Sequence, residues 1–261
     1  MNTLKATIKA ILAIAFSLLL IPLQLLVLFA TKSAPAYILP RIWHKGLCLI
    51  FGIKITHTGK PHTQSQTIYA FNHLSYLDII VIGSTLRASF VSKDDVASWP
   101  AFGFLSTLQQ TAFISRSREK ARDAKNTLDT MLRENKSLII FPEGTSTDGR
   151  DVHPFKSSIF SIAYNDNVSN IKIQPVTLIM QRIDGHEIKN QEDRDLYAWH
   201  IDMTTPLGEH LWRFLKSRGA QIHLHYHPPI NVKDFSNRKT LAKICHEAVS
   251  KGLQDYNNKQ T

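Results

Sequence analysis

Cysteine is scarce in this chain: Cys48 and Cys245 are its two. That excludes a disulfide-stapled scaffold and any four-cysteine zinc site, and it fits a reducing compartment. Glycine and proline are restrained at eleven each in 261 residues, which excludes collagen-like and low-complexity chains. No repeat recurs at the periods of solenoids or propellers. Acidic residues are outnumbered, 21 against 31 lysines and arginines. The formal net charge of +10 calls for a negative partner: nucleic acid, an anionic membrane or an anionic substrate. What is present is 43% hydrophobic residues, enough for a real core, in a length that suits one domain with an appendage.

Polar residues are missing above all from Ala10 to Ala30, where Ser17 and Gln24 are the only two and no charge occurs. The run reaches the ~20 residues a helix needs to cross the hydrocarbon core. Pro22 in its middle is tolerable in a membrane helix, though it would kink one. Lys5 and Lys9 precede the run and Lys32, Arg41 and Lys45 follow it, so charge gives no orientation bias. A second apolar, aromatic stretch spans Ala36 to Phe51, with Trp43, Arg41 and Lys45 suited to headgroup depth. Together the two stretches fit a hairpin or monotopic anchor as well as a true span. A cleaved signal peptide is the bland alternative, with Ala34-Pro35-Ala36 a loose cleavage site. The apolar run exceeds the usual ~7–15 residues of such a signal. We therefore expect a membrane-associated helical segment over 1–51 and a globular catalytic domain over 52–261.

In the globular part, Thr67–Phe71, Ser89–Val91, Ala112–Ile114, Leu138–Phe141 and Ile171–Met180 are short apolar or β-branched runs that predict strands. Helical patterns lie between and after them. Ser117 can cap a helix carrying Ala121, Ala124, Leu128, Met131 and Leu132 at helical spacing. Phe155–Tyr164 and Leu207–Lys216 predict further helices, and a last one begins near Asn237 with Leu241, Ile244, Cys245, Ala248 and Leu253 on one face. Asp184 to Pro206 is polar and irregular, as expected of a surface excursion. Strands alternating with helices predict an α/β fold with a mostly parallel sheet flanked by helices.

In such folds chemistry sits where strands end. At the first junction, Phe71-Asn72-His73-Leu74-Ser75-Tyr76-Leu77-Asp78, a histidine follows the strand at once and an acid comes five residues later. Histidine accepts a proton near neutral pH, and a carboxylate on its other ring nitrogen fixes the tautomer and stabilises the imidazolium. Five residues do not stack two side chains on a helix, so the pair can meet only if His73 lies on the turn and Asp78 projects back from the first helical turns. A capping Asn72 and a structural His73 explain the spacing equally well. Ser75 lacks the strained Gly-x-Ser-x-Gly elbow of a nucleophile. The second junction is Phe141-Pro142-Glu143-Gly144-Thr145-Ser146-Thr147-Asp148-Gly149-Arg150, a loop able to turn backbone N–H groups toward an anion or reacting oxygen. A phosphate-binding P-loop fails there, because Arg150 and Asp151 stand where Lys and Ser/Thr are needed. A plain polar turn remains the alternative.

Taken together, the two junctions are specific. NHLSYLD at 72–78 fits an NHxxxxD signature, and FPEGTSTDG at 141–149 resembles the FPEGT block of the glycerolipid acyltransferase family. Phe113-Ile114-Ser115-Arg116 is similar to that family's intermediate block, and Ile173-Gln174-Pro175-Val176 to its fourth. The resemblance implies a glycerol-3-phosphate acyltransferase-like α/β fold and transfer of a fatty acyl group from acyl-CoA or acyl carrier protein to a lysolipid hydroxyl. It implies His73 as general base, Asp78 as its orienting acid, and Arg116 with Glu143, Gly144 and Thr145 around the acceptor's glycerol phosphate. Lys93 resembles a family lysine that could stabilise an oxyanion or phosphate; a solvated lysine is the plainer reading. It further implies no metal or organic cofactor, no nucleic acid, and a cell-membrane location with the catalytic domain on the cytoplasmic side.

Two departures bear on the acceptor. Ser146 stands where the family often has Arg after EGT, and Lys156-Ser157-Ser158 replaces the usual Lys-Lys-Gly. One guanidinium fewer removes a possible bidentate phosphate contact. Arg116, Arg150 or Lys156 could compensate, which keeps 1-acylglycerol-3-phosphate as the first expectation. The EGTS loop followed by Asp-Gly and Pro-Phe-Lys also resembles relatives acting on lyso-ornithine lipid, the alternative acceptor. A non-catalytic lipid-binding relative is the remaining class, against which both His73 and Asp78 speak. His223, His225 and His227 alternate in a probable strand, but burial of Ile222, Leu224 and Tyr226 already explains that pattern without a metal. His246-Glu247 lacks the second histidine of a zincin helix, and no lipase elbow or zinc finger occurs.

Overall fold

The computed structural model describes residues 2–99, 101–114, 118–164 and 171–258, apart from the side chains of 118–125. Its apolar N-terminus is one continuous helix, α1 (Asn2–Ala30), which runs through Pro22 and buries only Ala6 and Gln24. At ~1.5 Å per residue it is ~43 Å long. Leu18, Leu19, Leu26 and Phe29 stand exposed along it. It is nonetheless fastened at both ends of its docked face. Lys9 donates to the carbonyls of Phe51 and Ser217, and Gln24 donates to those of Ala36 and Leu108. The chain then returns as α2 (Ile38–Phe51), stopped by Gly52 at φ 79°, where a side chain would strike the Arg218 carbonyl. The polar tips of Trp43 and Arg41 are bonded within the helical layer: the indole N–H donates to Ser17 Oγ at 2.8 Å and the guanidinium to the Ser84 carbonyl.

Beyond α2 come β1 (Lys54–Thr58), β2 (Thr67–Phe71), α3 (Leu77–Thr85), β3 (Ser89–Lys93), α4 (Phe102–Leu108), β4 (Ala112–Ile114), α5 (Arg118–Arg133) and β5 (Leu138–Ile140). The second half holds β6 (Lys172–Ile183), β7 (His186–Glu187), α6 (Gln191–Arg194), α7 (Leu207–Lys216), β8 (Ala220–Tyr226), β9 (Ile230–Asn231) and α8 (Arg238–Asn257). The sheet runs β1-β8-β6-β2-β5-β3-β4, with β7 and β9 paired to β6. Its neighbours are parallel except where β6 meets β8, β7 and β9. This is the α/β fold with a mostly parallel sheet flanked by helices, preceded by an apolar helix.

Burial on both faces explains why the central strand β2 reads as TIYAF without polar alternation: all five residues are buried. Tyr69 and Phe71 face the layer of α2, α3 and α7, whereas Ile68 and Ala70 face the layer containing Leu128 and Leu132 of α5 and Leu241, Cys245 and Val249 of α8. Each such aliphatic or aromatic side chain taken from water contributes ~1.5–3 kcal/mol. In α8 the buried stripe includes Val249 and Ala242, with Ile244 and Ala248 at its edges, and Asn237 caps the helix by accepting from Lys239 and Thr240 N–H. β8 alternates as expected, and the ring nitrogens of His223 each meet a threonine hydroxyl, Thr56 at 2.8 Å and Thr58 at 3.0 Å.

Two expectations need correction. Phe155–Tyr164 is not a helix; only Ile159–Ala163 winds, as a short 3-10 turn. Its first half is pulled onto the preceding loop, since Lys156 N–H bonds the Pro142 carbonyl and His153 N–H bonds Glu143. Asp184 to Pro206 is no simple surface excursion: it contains β7 and α6, and Tyr197 and Ala198 within it are buried completely. Ser117, offered as a helix cap, lies outside the described residues, although α5 itself is present.

Candidate active site

Parallel pairing of β2 with β5, of β5 with β3 and of β3 with β4 puts four carboxyl ends on one edge of the sheet. The strands reach that edge at Phe71, Lys93, Ile114 and Ile140, so the topology brings the two sequence junctions after β2 and β5 together with Lys93. Lys93 is the last residue of β3, half-buried on this edge. Arg116 would follow β4 by two residues, but it lies outside the described residues.

The turn after β2 is fixed before any chemistry is considered. Asn72 is buried and pairs both ways with the backbone of Leu178 on β6, donating from Nδ2 at 2.9 Å and accepting at Oδ1 at 2.7 Å. It bonds a strand, not a helix terminus. His73 comes next, and Asp78 sits at the second position of α3, where a carboxylate suits the exposed N–H groups of the first turn. His73 Nδ1 is 2.8 Å from Asp78 Oδ2. The carboxylate can only accept, so Nδ1 carries the proton and Nε2 is left as the acceptor nitrogen. Oδ2 also accepts the N–H of Leu74 at 2.7 Å and of Ser75 at 3.0 Å, and Oδ1 accepts the Tyr197 hydroxyl at 2.9 Å. Asp78 is thus a buried charge held by four donors, as a buried charge must be. The His73 ring stacks on Phe141, with centroids 4.0 Å apart and planes 22° apart, and retains 20% side-chain exposure.

The second loop encloses the same turn. Glu143 Oε1 accepts His73 N–H at 2.7 Å and Oε2 accepts His153 N–H at 2.7 Å, while Thr147 N–H donates to the His73 carbonyl at 2.9 Å. Glu143 is 2% exposed, and burial pushes its carboxyl up to about 8, with the two backbone donors opposing the rise. Its oxygens face the protein's own backbone. Gly144 adopts φ 69°, and a Cβ there would lie 2.5 Å from Lys156 Nζ, so this lysine lies over the loop. Thr145 is half-buried beside it. Ser146 turns toward the 184–206 segment and donates to the Trp199 carbonyl at 2.6 Å, and Trp199 N–H in turn donates to the Leu74 carbonyl.

Tyr197 is a site residue the sequence reasoning missed, and nothing local singles out one tyrosine in a polar stretch 119 residues beyond its partner. The charged rim was missed as well: Arg150 lies 3.3 Å from Asp148 and bonds Gln191 Oε1 at 2.7 Å, while Arg194 reaches the Asp148 carbonyl. Beside the rim, Tyr76, Trp99, Phe102 and Trp199 form a chain of edge-on rings. Phe104 and Ile201 are exposed next to it.

A histidine whose Nδ1–H is held by a buried carboxylate, with Nε2 on the outward side, can take a proton from a hydroxyl brought to it. The chain as a whole is similar to known proteins. Residues 53–179 match the family profile described as Acyltransferase. A lyso-ornithine lipid O-acyltransferase of Rhodobacter capsulatus is 37% identical over 78% of this chain and 71% of its own length, and one of Brucella abortus is 31% identical over 92% and 91%. A 1-acyl-sn-glycerol-3-phosphate acyltransferase of Neisseria meningitidis is 28% identical over 79% and 76%. The crystal structure of the 1-acyl-sn-glycerophosphate acyltransferase PlsC from Thermotoga maritima superposes with a TM-score of 0.67, covering 98% of each chain at 18% identity, and shares the fold. With an apolar helix of this length at its N-terminus, the protein is membrane-associated and works in lipid biosynthesis. The chain belongs to the family described as Acyltransferase.

Proposed function

We propose that this protein moves a fatty acyl group from a thioester, acyl-CoA or acyl carrier protein, to the free hydroxyl of lyso-ornithine lipid. His73 Nε2 takes the hydroxyl proton as the oxygen attacks the thioester carbonyl. The tetrahedral intermediate collapses by breaking the C–S bond, and the imidazolium returns the proton to the thiolate. Asp78 stabilises the imidazolium between these events. No acyl-enzyme forms, and neither a metal nor an organic cofactor is required. Lys93 and Arg116 remain candidates for stabilising the oxyanion or holding the headgroup. Glu143 acts as a brace for the turn, because both its oxygens are occupied by backbone.

The observation that carries the choice of acceptor is Ser146. Where the family often has an arginine after EGT, this chain presents a hydroxyl already committed to the Trp199 carbonyl. The rim beyond it mixes signs, Arg150 and Arg194 with Asp148 between them, which suits a headgroup carrying both an ammonium and a carboxylate. The relatives acting on lyso-ornithine lipid support the same choice. Lysophosphatidate, the first expectation from the sequence, is the second reading, and Lys156 lying over Gly144 is the cation that favours it.

The apolar outer face of α1, the exposed Phe104 of α4 and Ile201 support monotopic seating on the cell membrane's cytoplasmic leaflet, with the site opening beside the lipid. The acceptor would then reach His73 without crossing water. Competition between the two lysolipids in one assay, with labelled donor, tests the reading for wild type and Ser146→Arg. Wild type should favour lyso-ornithine lipid, and the added arginine should shift the ratio toward lysophosphatidate. Wild-type preference for lysophosphatidate would overturn the acceptor, and near-normal turnover by folded His73→Ala would overturn the mechanism.

A further inference from the structure

The 184–206 segment delivers one side chain to the centre of the site. Tyr197 is completely buried, its ring packs edge-on against Phe214 of α7 at 6.0 Å, and its hydroxyl donates to Asp78 Oδ1 at 2.9 Å. Asp78 Oδ2 is occupied by His73 and two backbone N–H groups, so Tyr197 is the donor on the other oxygen. The segment is clamped on either side of that contact, by Trp199 N–H on the Leu74 carbonyl and by His210 Nε2 on the carbonyls of Asp195 and Ala198.

We infer that Tyr197 is a positioning residue that tunes the basicity of His73 through Asp78. A donor on Oδ1 draws negative charge away from Oδ2, which weakens the carboxylate's hold on the imidazolium and keeps Nε2 in its proton-accepting form at lower pH. Burial and the neighbouring Asp78 charge raise the phenol well above its ordinary value, so it stays a donor throughout the working range. The other ionisable groups facing this pair are Glu143 in the 141–149 loop, Tyr76 before α3 with His210 behind it, and Cys48 on α2. Among the described residues none of these hydrogen-bonds the Asp78 carboxylate. The inference rests on His73 being the base.

The test is the pH dependence of kcat/KM for full-length enzyme in detergent micelles. Tyr197→Phe keeps the ring and removes only the hydroxyl. Its carboxylate becomes the stronger base, so the limb on which activity rises with pH should move up by ~0.5 pH unit, with both KM values and the plateau kcat little changed. Site-specific 3-fluorotyrosine at 197 is a stronger donor of nearly the same size, and should move that limb down. A profile superimposable on wild type for both variants would overturn the inference, even if the melting temperature fell. Full activity in His73→Ala would overturn the inference together with the base. A dead His73→Ala with unmoved Tyr197 profiles would sink the inference alone.

Discussion

Replacing Asp78 with asparagine separates what its charge does from what its shape does. The amide has one accepting oxygen, and Leu74 and Ser75 N–H, at 2.7 and 3.0 Å, hold an acceptor at the Oδ2 position. The asparagine oxygen must sit there, so it continues to accept His73 Nδ1–H and the tautomer is preserved. The amide NH2 then faces Tyr197, whose hydroxyl rotates from donor to acceptor. The buried Tyr197 O–H loses its acceptor, so the fold should lose the cost of that one group, ~1–3 kcal/mol, and the melting temperature should fall accordingly. Activity should not survive as well. The imidazolium formed in the transition state loses a unit charge at ~4 Å, worth ~4 kcal/mol at an effective dielectric of 20. That corresponds to ~10³ in kcat. The activity that remains should begin at lower pH, because the imidazolium has lost its counter-charge. Asp78→Ala gives the opposite balance: three buried donors besides His73 lose their acceptor, at ~1–3 kcal/mol each, and the fold should suffer visibly. Steady-state kinetics with thermal melts on both variants decides. An asparagine variant within tenfold of wild type would refute the charge argument.

Three further outcomes follow from described contacts. Glu143's carboxyl is raised in the folded chain, so its contribution to stability is complete below about pH 4.5 and gone by about pH 8; melting temperature should fall across that window and the slope should flatten in Glu143→Gln. A Cβ at Gly83 would run into the His44 ring, which Gln109 holds at 2.8 Å, so Gly83→Ala should cost ~1–3 kcal/mol in denaturant unfolding by forcing α2 and α3 apart. Leu19→Asp with Leu26→Asp alters only outward-facing positions of α1 and should abolish sedimentation with anionic vesicles while leaving the melt unchanged; retained sedimentation would mean another surface holds the membrane.

How much was legible in the sequence depended on how local the cause was. His73 and Asp78 lie five residues apart at a strand end, and chain geometry alone nearly forces their meeting once the turn is granted. The central strand β2 was legible because burial on both faces leaves it almost wholly apolar. β1 escaped notice because its sequence KITHT is mostly exposed and pairs with β8, 167 positions further on, where Ile55 lies opposite Ile222.

The error at Phe155–Tyr164 has a similar cause: its apolar residues are helical in spacing, but the chain entering it is tied to the 141–149 loop by His153 N–H on Glu143 and Lys156 N–H on the Pro142 carbonyl, contacts that no local pattern encodes. Tyr197 was illegible for a different reason. Its partner is fixed by the path of the 23-residue segment 184–206 across the sheet edge, and no periodicity encodes that path.

The mutual bonds between the two loops limit how such an enzyme can change its diet. His73 is gripped at its N–H by Glu143 and at its carbonyl by Thr147, so the stretch between those two residues has a fixed length. An insertion or deletion there would release one grip and carry the base away from its carboxylate. New headgroups must therefore be accommodated by exchanging side chains at 145, 146, 148 and 150, not by lengthening the loop. Substrate range in this scaffold is a matter of spelling within a constant frame, which makes position 146 a natural first site for engineering acceptor choice.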